Sequence, residues 1–241
     1  MDRVSTRIGR RALLAGSVSI LALSGGKAFA AKIVGKMPWE PDAGSPPKRV
    51  TPGGWLFFTP QEAAAIEALV DRVIPPDPAT PGGKDAGCAV FIDRQLAGPY
   101  GRASALYMRP PFAEGTAQQG AQSSLTPAAR YRQGLAALEK HVAANLGGKA
   151  LRDLSGEQLD DLLKGMEAGT LKLPETDAKA FFAQLLQNTK EGFFADPIYG
   201  GNRDMAGWKM IGFPGAHYDF SDWVGRHNEH YPLPPVSIAG R

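Results

Sequence analysis

The chain has 241 residues, with 27 Lys and Arg against 24 Asp and Glu, a net charge of +3, 43% apolar residues and one cysteine. That length and apolar content suit one or two domains and exclude a wholly disordered chain. A single cysteine excludes a disulfide scaffold and any Cys-based zinc or iron–sulfur site within this chain, and the positive balance points to nucleic acid or a membrane only if the basic residues lie on the folded body.

The first thirty residues read as an export signal. A charged stretch ending in Arg10-Arg11 runs into Ala12-Leu13-Leu14 and then into small residues, closing on Ala28-Phe29-Ala30. The paired arginines resemble a twin-arginine signal, and the Ala28-x-Ala30 pattern predicts cleavage after Ala30. An ordinary secretory signal and an uncleaved N-terminal anchor are the two other readings of the same segment. Gly16, Ser17 and Ser19 interrupt the apolar run, which makes it a poor membrane span. The twin-arginine route carries proteins already folded, typically around a cofactor, so the chain either binds a cofactor or travels with a partner that does. The expected location is the periplasm, soluble or peripheral to the membrane. Residues 1–30 hold five basic residues and one acid, so the remainder carries a net charge of −1. The basic balance belongs to the signal, and the overall electrostatic case for nucleic acid goes with it.

Residues 31–57 are rich in Pro, Gly and Lys and read as an extended arm, which either anchors Trp39, Trp55 and Phe57-Phe58 on its own domain or a partner or stays mobile. A helical domain is expected over 58–241. Thr59-Pro60-Gln61-Glu62 has the form of a capping box with Pro at the first helical position, followed by Ile66, Leu69, Val70 and Val73 at helical spacing. Ile74-Pro75-Pro76 stops that helix. A second helix is expected from about Ala86 to Leu96, with Val90, Ile92 and Leu96 buried and Asp93 and Arg94 outward. Residues 98–125 lack a period and read as a long loop whose Tyr100, Tyr107, Met108 and Phe112 pack against a surface. Thr126-Pro127 opens a third helix bearing Tyr131, Leu135, Leu138 and Val142, ended by Gly147-Gly148. Ser155 with Gln158 caps a fourth, carrying Leu159, Leu162, Leu163 and Met166 and ending near Gly169. Thr176 is expected to cap a fifth, with Phe182, Leu185, Leu186, Thr189 and Phe193 in line. From about residue 196 the chain turns Gly- and aromatic-rich without periodicity. No alternating run is long enough for a sheet, so the fold class is all-α: about five main helices, an extended arm and a long irregular C-terminal segment.

The common cofactor motifs are missing. No G-x-G-x-x-G follows a strand, and there is no phosphate loop, nucleophile elbow, C-x-x-C-H or H-E-x-x-H. Of four histidines, His217, His227 and His230 fall in one stretch with Asp219, Asp222 and Glu229. A metal site there would support a self-sufficient metal-dependent enzyme, the alternative reading of the chain. A periplasmic binding or structural protein is a further alternative. Against a metal site, the stretch is bracketed by Gly and Pro, and its Tyr and Trp residues suit an interface. Cys88 reads as a small core residue or, as an odd cysteine in an oxidising compartment, as one half of an intersubunit disulfide.

Three stretches carry a resemblance: Phe58-Thr59-Pro60-Gln61-Glu62 leading to Val73-Ile74-Pro75-Pro76-Asp77; Gly87-Cys88-Ala89-Val90-Phe91-Ile92-Asp93; and Gly192-Phe193-Phe194-Ala195-Asp196-Pro197-Ile198-Tyr199-Gly200-Gly201-Asn202-Arg203-Asp204, continuing through Trp208 to Gly212-Phe213-Pro214-Gly215. Together with the signal they resemble the gluconate 2-dehydrogenase subunit 3 family, over about residues 58–214. The resemblance implies a small subunit without a cofactor of its own or catalytic residues. It implies a large subunit that holds FAD and abstracts hydride from a sugar, polyol or sugar acid, and a multihaem cytochrome c subunit that takes the electrons. It also implies that this chain supplies the twin-arginine signal and supports folding or export of its partner. The turn 196–202 has its own logic, with Asp196 as acceptor and Gly200-Gly201 allowing positive φ or close approach. It either presents Tyr199, Arg203 and Trp208 to a partner or folds back on the core. Cys88 and Trp223 complete the interface candidates.

Overall fold

The folded unit spans Pro41–Arg241. The computed structural model describes residues 49–240 except 52, 114, 117, 119–122 and 218, all within this unit. The signal residues Arg10, Arg11, Ala28 and Ala30, and residues 31–48 of the arm, lie outside the described residues.

Among the described residues the fold is all-α, with six helices and no strands. They are α1 (Pro60–Val73), α2 (Cys88–Ala97), α3 (Pro127–Asn145), α4 (Gly156–Ala168), α5 (Ala178–Phe194) and the short α6 (Ala206–Ile211). Local chemistry sets the starts. The Thr59 hydroxyl accepts from the Glu62 N–H while the Glu62 carboxylate accepts from the Thr59 N–H, and Ser155 and Gln158 form the same reciprocal pair on α4. Thr126 caps α3 through the Ala129 N–H. On α5 the cap is Asp177, whose side chain accepts from the Ala180 N–H, one residue beyond the expected Thr176. The sixth helix, α6, falls where the sequence shows no periodicity, because six residues are too few to display one.

α5 is the central element and packs against all five other helices. Phe181, Leu185 and Phe193 on it are 0–1% exposed. A ladder of rings joins the arm to the core: Trp55 and Phe57 meet Phe58 edge-on, Phe58 meets Tyr131 of α3 at 6.0 Å, and Tyr131 meets Phe181 of α5 at 5.6 Å. The folded body therefore begins before residue 58, since Trp55 and Phe57 pack on the core. Two polar groups interrupt the apolar face of α5. Thr189 returns its hydroxyl to the Leu185 carbonyl, and Asn188 bonds the hydroxyls of Tyr100 and Tyr131.

The arm is fixed by Asp93, which sequence periodicity places outward and which the structure buries at 0% exposure. Its carboxylate accepts from three consecutive backbone N–H groups, of Leu56, Phe57 and Phe58, each at 2.9 Å. Three successive N–H groups turned to one side form an anion-binding nest, and they leave the carboxylate solvated by protein rather than by water. Arg94 supplies the countercharge and donates its other arm to the Gly54 carbonyl. Val90, expected inside, is half-buried. A second clamp closes over the first. Arg132 of α3 pairs with Glu62, donates to the Phe57 carbonyl, and lies 4.0 Å above the Phe57 ring. Burial pushes the Glu62 carboxyl up, but the hydrogen bonds from Arg132 and Thr59 outweigh it and hold the group below its ordinary value. Its contribution is complete above the usual carboxylate range and is lost as pH falls through the lowered value.

The loop after α2 corrects its expected packing. Tyr100 does turn inward to Asn188, but Tyr107 is 81% exposed, and Phe112 reaches the surface as well.

Asp93→Ala removes the acceptor from three N–H groups and the partner from Arg94. It is expected to cost at least about 3 kcal/mol of unfolding free energy in urea titration. Asp93→Asn keeps one acceptor oxygen and should cost less. A loss below about 1 kcal/mol for the alanine variant would show that the arm is held by its aromatic rings alone.

Candidate partner-docking face

Beyond α5 the chain builds one end of the bundle from the turn 195–205, α6 and the segment after it. The turn starts at Asp196, 8% exposed, whose carboxylate accepts from the Ile198 N–H, the Ser237 hydroxyl and the Ile238 N–H. It therefore ties the C-terminal tail to the end of α5. The backbone of the turn is bonded on both flanks: Val50 N–H donates to the Ile198 carbonyl and Arg203 N–H to the Ala86 carbonyl. Gly200 sits at φ +95°, and a Cβ on Gly201 would stand 2.1 Å from the Gly192 carbonyl oxygen. Positive φ and close approach are thus both used, one by each glycine. Asn202, fully buried, donates to the Ala195 carbonyl and accepts from the Gly207 N–H, so it staples the turn to α5 and α6.

Three non-glycine residues in this stretch adopt left-handed backbone: Asn202, Asp204 and Met205. Asn and Asp tolerate that region, whereas for Met it costs about 1–2 kcal/mol. Arg203 and Asp204 are exposed, and α6 follows directly from the left-handed Met205. Trp208 is 6% exposed and serves its own chain: its indole N–H donates to the Phe194 carbonyl at 2.7 Å and its ring meets Phe213 edge-on at 5.2 Å.

Large apolar side chains are left around this staple. Phe194, Tyr199, Met210, Ile211 and Phe213 are 37–58% exposed within twenty residues of chain. A groove of about 600 Å³ runs between the loop at Ala79–Pro81 and α6, lined by Arg203, Asp204, Lys209 and Met210. Opposite charges border an apolar floor, the composition of a protein-binding surface.

The sequence-derived candidates thus divide. Tyr199 and Arg203 are exposed on this face, while Trp208 supports it from beneath. Trp223 is half-buried in a separate cluster, against Tyr231 at 5.1 Å and under the Arg226 guanidinium at 4.6 Å. Cys88 is 0% exposed at the start of α2, and burial pushes its thiol up to about 12. The C-terminal histidines do not converge. His227 and His230 are exposed outside any helix, and His217 packs edge-on against Phe220 and Tyr231. Among the described residues, no group of three or more His, Cys, Asp or Glu is placed to hold a metal ion. Nor is any helix among them long and apolar enough to cross a membrane. Met210, Ile211 and Phe213 were not singled out from the sequence. Their signal is Lys209-Met210-Ile211-Gly212-Phe213-Pro214, an apolar run too short to bury itself as a helix.

The profile of one family, gluconate 2-dehydrogenase subunit 3, matches residues 60–215, and the chain belongs to that family. The matched span ends just past α6 and excludes the aromatic cluster around Trp223. No curated protein and no solved structure matches the chain.

Gly201→Ala forces the Gly192 carbonyl aside and is expected to lower the melting temperature. Met205→Gly relieves the left-handed strain and is expected to raise stability by about 1 kcal/mol. The two changes, four residues apart in one turn, should therefore move thermal unfolding in opposite directions. Cys88 is expected to resist iodoacetamide in the folded chain and to react on unfolding in urea. Rapid labelling without denaturant would contradict its burial.

Proposed function

We propose that this member of the gluconate 2-dehydrogenase subunit 3 family is the non-catalytic small subunit of a periplasmic FAD-dependent dehydrogenase complex. It binds the flavin-bearing large subunit, supports its folding, and carries it through the twin-arginine translocase on the signal of Arg10 and Arg11. The large subunit oxidises a CH–OH substrate of the sugar, polyol or sugar-acid class, and a multihaem cytochrome c subunit receives the electrons. FAD and haem belong to those partners in this reading.

Family membership carries the proposal, because it places the chain with the subunits of a dehydrogenase complex. Two features support the finer role. The sequence holds neither a dinucleotide-binding motif nor a haem-attachment motif, yet its N-terminus has the form of a signal for folded cargo. The end face around α6 leaves Met210, Ile211 and Phe213 in water, which a lone chain gains nothing by doing. Burying such anchors in a partner pocket is the usual source of binding energy at protein interfaces.

Expression of the large subunit with and without this chain, followed by dye-linked dehydrogenase activity in the periplasm, tests the role. Exported activity is expected to depend on this chain. Undiminished activity in its absence would sink the proposal. Met210→Asp with Ile211→Asp should weaken co-purification of the flavoprotein by about thirtyfold or more if the pair is worth at least about 2 kcal/mol. The helix content of the variant should be unchanged, since both side chains are exposed.

A further inference from the structure

Near its C-terminus the chain returns to the end of the bundle that carries α6. Residues 231–238, Tyr231-Pro232-Leu233-Pro234-Pro235-Val236-Ser237-Ile238, form a strap there. It pairs with the backbone where the family-matched span ends: Ala216 N–H donates to the Val236 carbonyl at 2.7 Å and Val236 N–H to the Pro214 carbonyl at 3.2 Å. The Ser237 hydroxyl and the Ile238 N–H then bond the Asp196 carboxylate, each at 2.7 Å. Within 231–238 only the side chain of Ser237 is buried. The strap is thus held by a few hydrogen bonds, each a modest net gain against water, rather than by apolar burial.

Its apolar side chains are not seated. Leu233 is 50% exposed, and Pro232 and Pro234 are exposed beside it. A cleft of about 300 Å³ separates these three from Trp208, Phe213 and Pro214. A permanent part of the core would close a gap of that size. Pro232, Pro234 and Pro235 have no N–H, so the backbone donors that tie the strap to the body are those of Val236 and Ile238. Tyr231, at the other end, packs on His217 and Trp223, which belong to the same C-terminal segment.

The turn beneath does not need the strap. Asp196 keeps its bond from the Ile198 N–H, Val50 still holds the Ile198 carbonyl, and Asn202 still accepts from Gly207 at the start of α6. Departure of the strap uncovers Trp208 and the hidden part of Phe213, which is already 44% exposed, beside Met210 and Ile211.

We propose, on the reading of the α6 end as the docking face, that the strap is a displaceable occupant of that face. It is bonded to Asp196 and Pro214 in the free chain and released when the flavin-bearing large subunit docks. The free chain keeps part of its apolar surface covered, and docking exchanges hydrogen bonds of the strap for contact with Trp208 and Phe213. A closed strap lowers the apparent affinity by the fraction of chains it keeps out of the binding-competent state.

Amide hydrogen exchange on the full chain gives the first test, without a partner. The amides of Val236 and Ile238 should exchange together and well before those of Leu185 and Phe193 in α5. Exchange at the α5 rate would mean that the strap leaves only on global unfolding, and would overturn the proposal. Adding the large subunit should remove the remaining protection of the two strap amides. Ser237→Ala deletes the hydroxyl that donates to Asp196 and should tighten binding of the large subunit by about fivefold, the equivalent of one net hydrogen bond. Circular dichroism should show the helix content unchanged. A strap that only supports the face predicts the opposite sign, so unchanged or weaker binding by the variant would overturn the proposal, as would strap amides that gain protection in the complex. Absence of binding by wild type and variant alike would overturn the docking reading itself, and the strap's role with it.

Discussion

The Asp93 carboxylate is the constraint on which the entry of the chain into its fold depends. Shut away from water, it must be solvated by donors the protein supplies. The nest of residues 56–58 and the Arg94 guanidinium meet that demand together. The geometry admits little freedom, because three adjacent N–H groups converge only when the backbone turns one way. That turn delivers Phe58 to Tyr131 and sets Thr59 as the cap of α1. Cap, ring ladder and the Arg132 clamp on Phe57 and Glu62 all follow from one acceptor on α2.

The C-terminal side repeats the device. Asp196 gathers a turn N–H, a serine hydroxyl and a tail N–H, as Asp93 gathers three N–H groups of the arm. In both places a segment with no periodicity of its own is placed by an acid, one within a helix and one just beyond a helix end, rather than by apolar burial. The two carboxylates therefore bracket the bundle and give definite positions to chain that hydrophobicity alone would leave unassigned. This arrangement also frees large apolar side chains from structural duty. Met210 and Ile211 need not hold α6 in place, since Asn202 and Trp208 already do.

Much of the fold was legible because its signals are local. The capping boxes at Thr59 and Ser155, the Thr126-Pro127 start and the helical spacing of Leu159, Leu162, Leu163 and Met166 each lie within one or two turns of sequence. Asp93 was misplaced because periodicity weighs an acid by its polarity and cannot register donors 35 to 37 residues away. Tyr107 was misplaced for the converse reason, as aromatic character marks burial or binding without distinguishing them. In the turn, Gly200-Gly201 announced an unusual backbone, yet the division of labour between positive φ and close approach needed the position of Gly192. The chain's entry into α6 was invisible, since it passes through left-handed Met205, a residue whose identity does not ask for that conformation.

The shared acceptor at Asp93 has a mechanical side. Past the single Val50 bond to the Ile198 carbonyl, a pull on the chain upstream of residue 56 does not meet three separate bonds to be opened in turn. It meets one carboxylate, rooted in a buried helix, that bears the load on several bonds together. Tension from the N-terminal side is handed to α2, and through α2 to α5, before the cap of α1 feels it. In the proposed export role the traction comes from that side, and the arm is moored to the centre of the bundle rather than to its first helix.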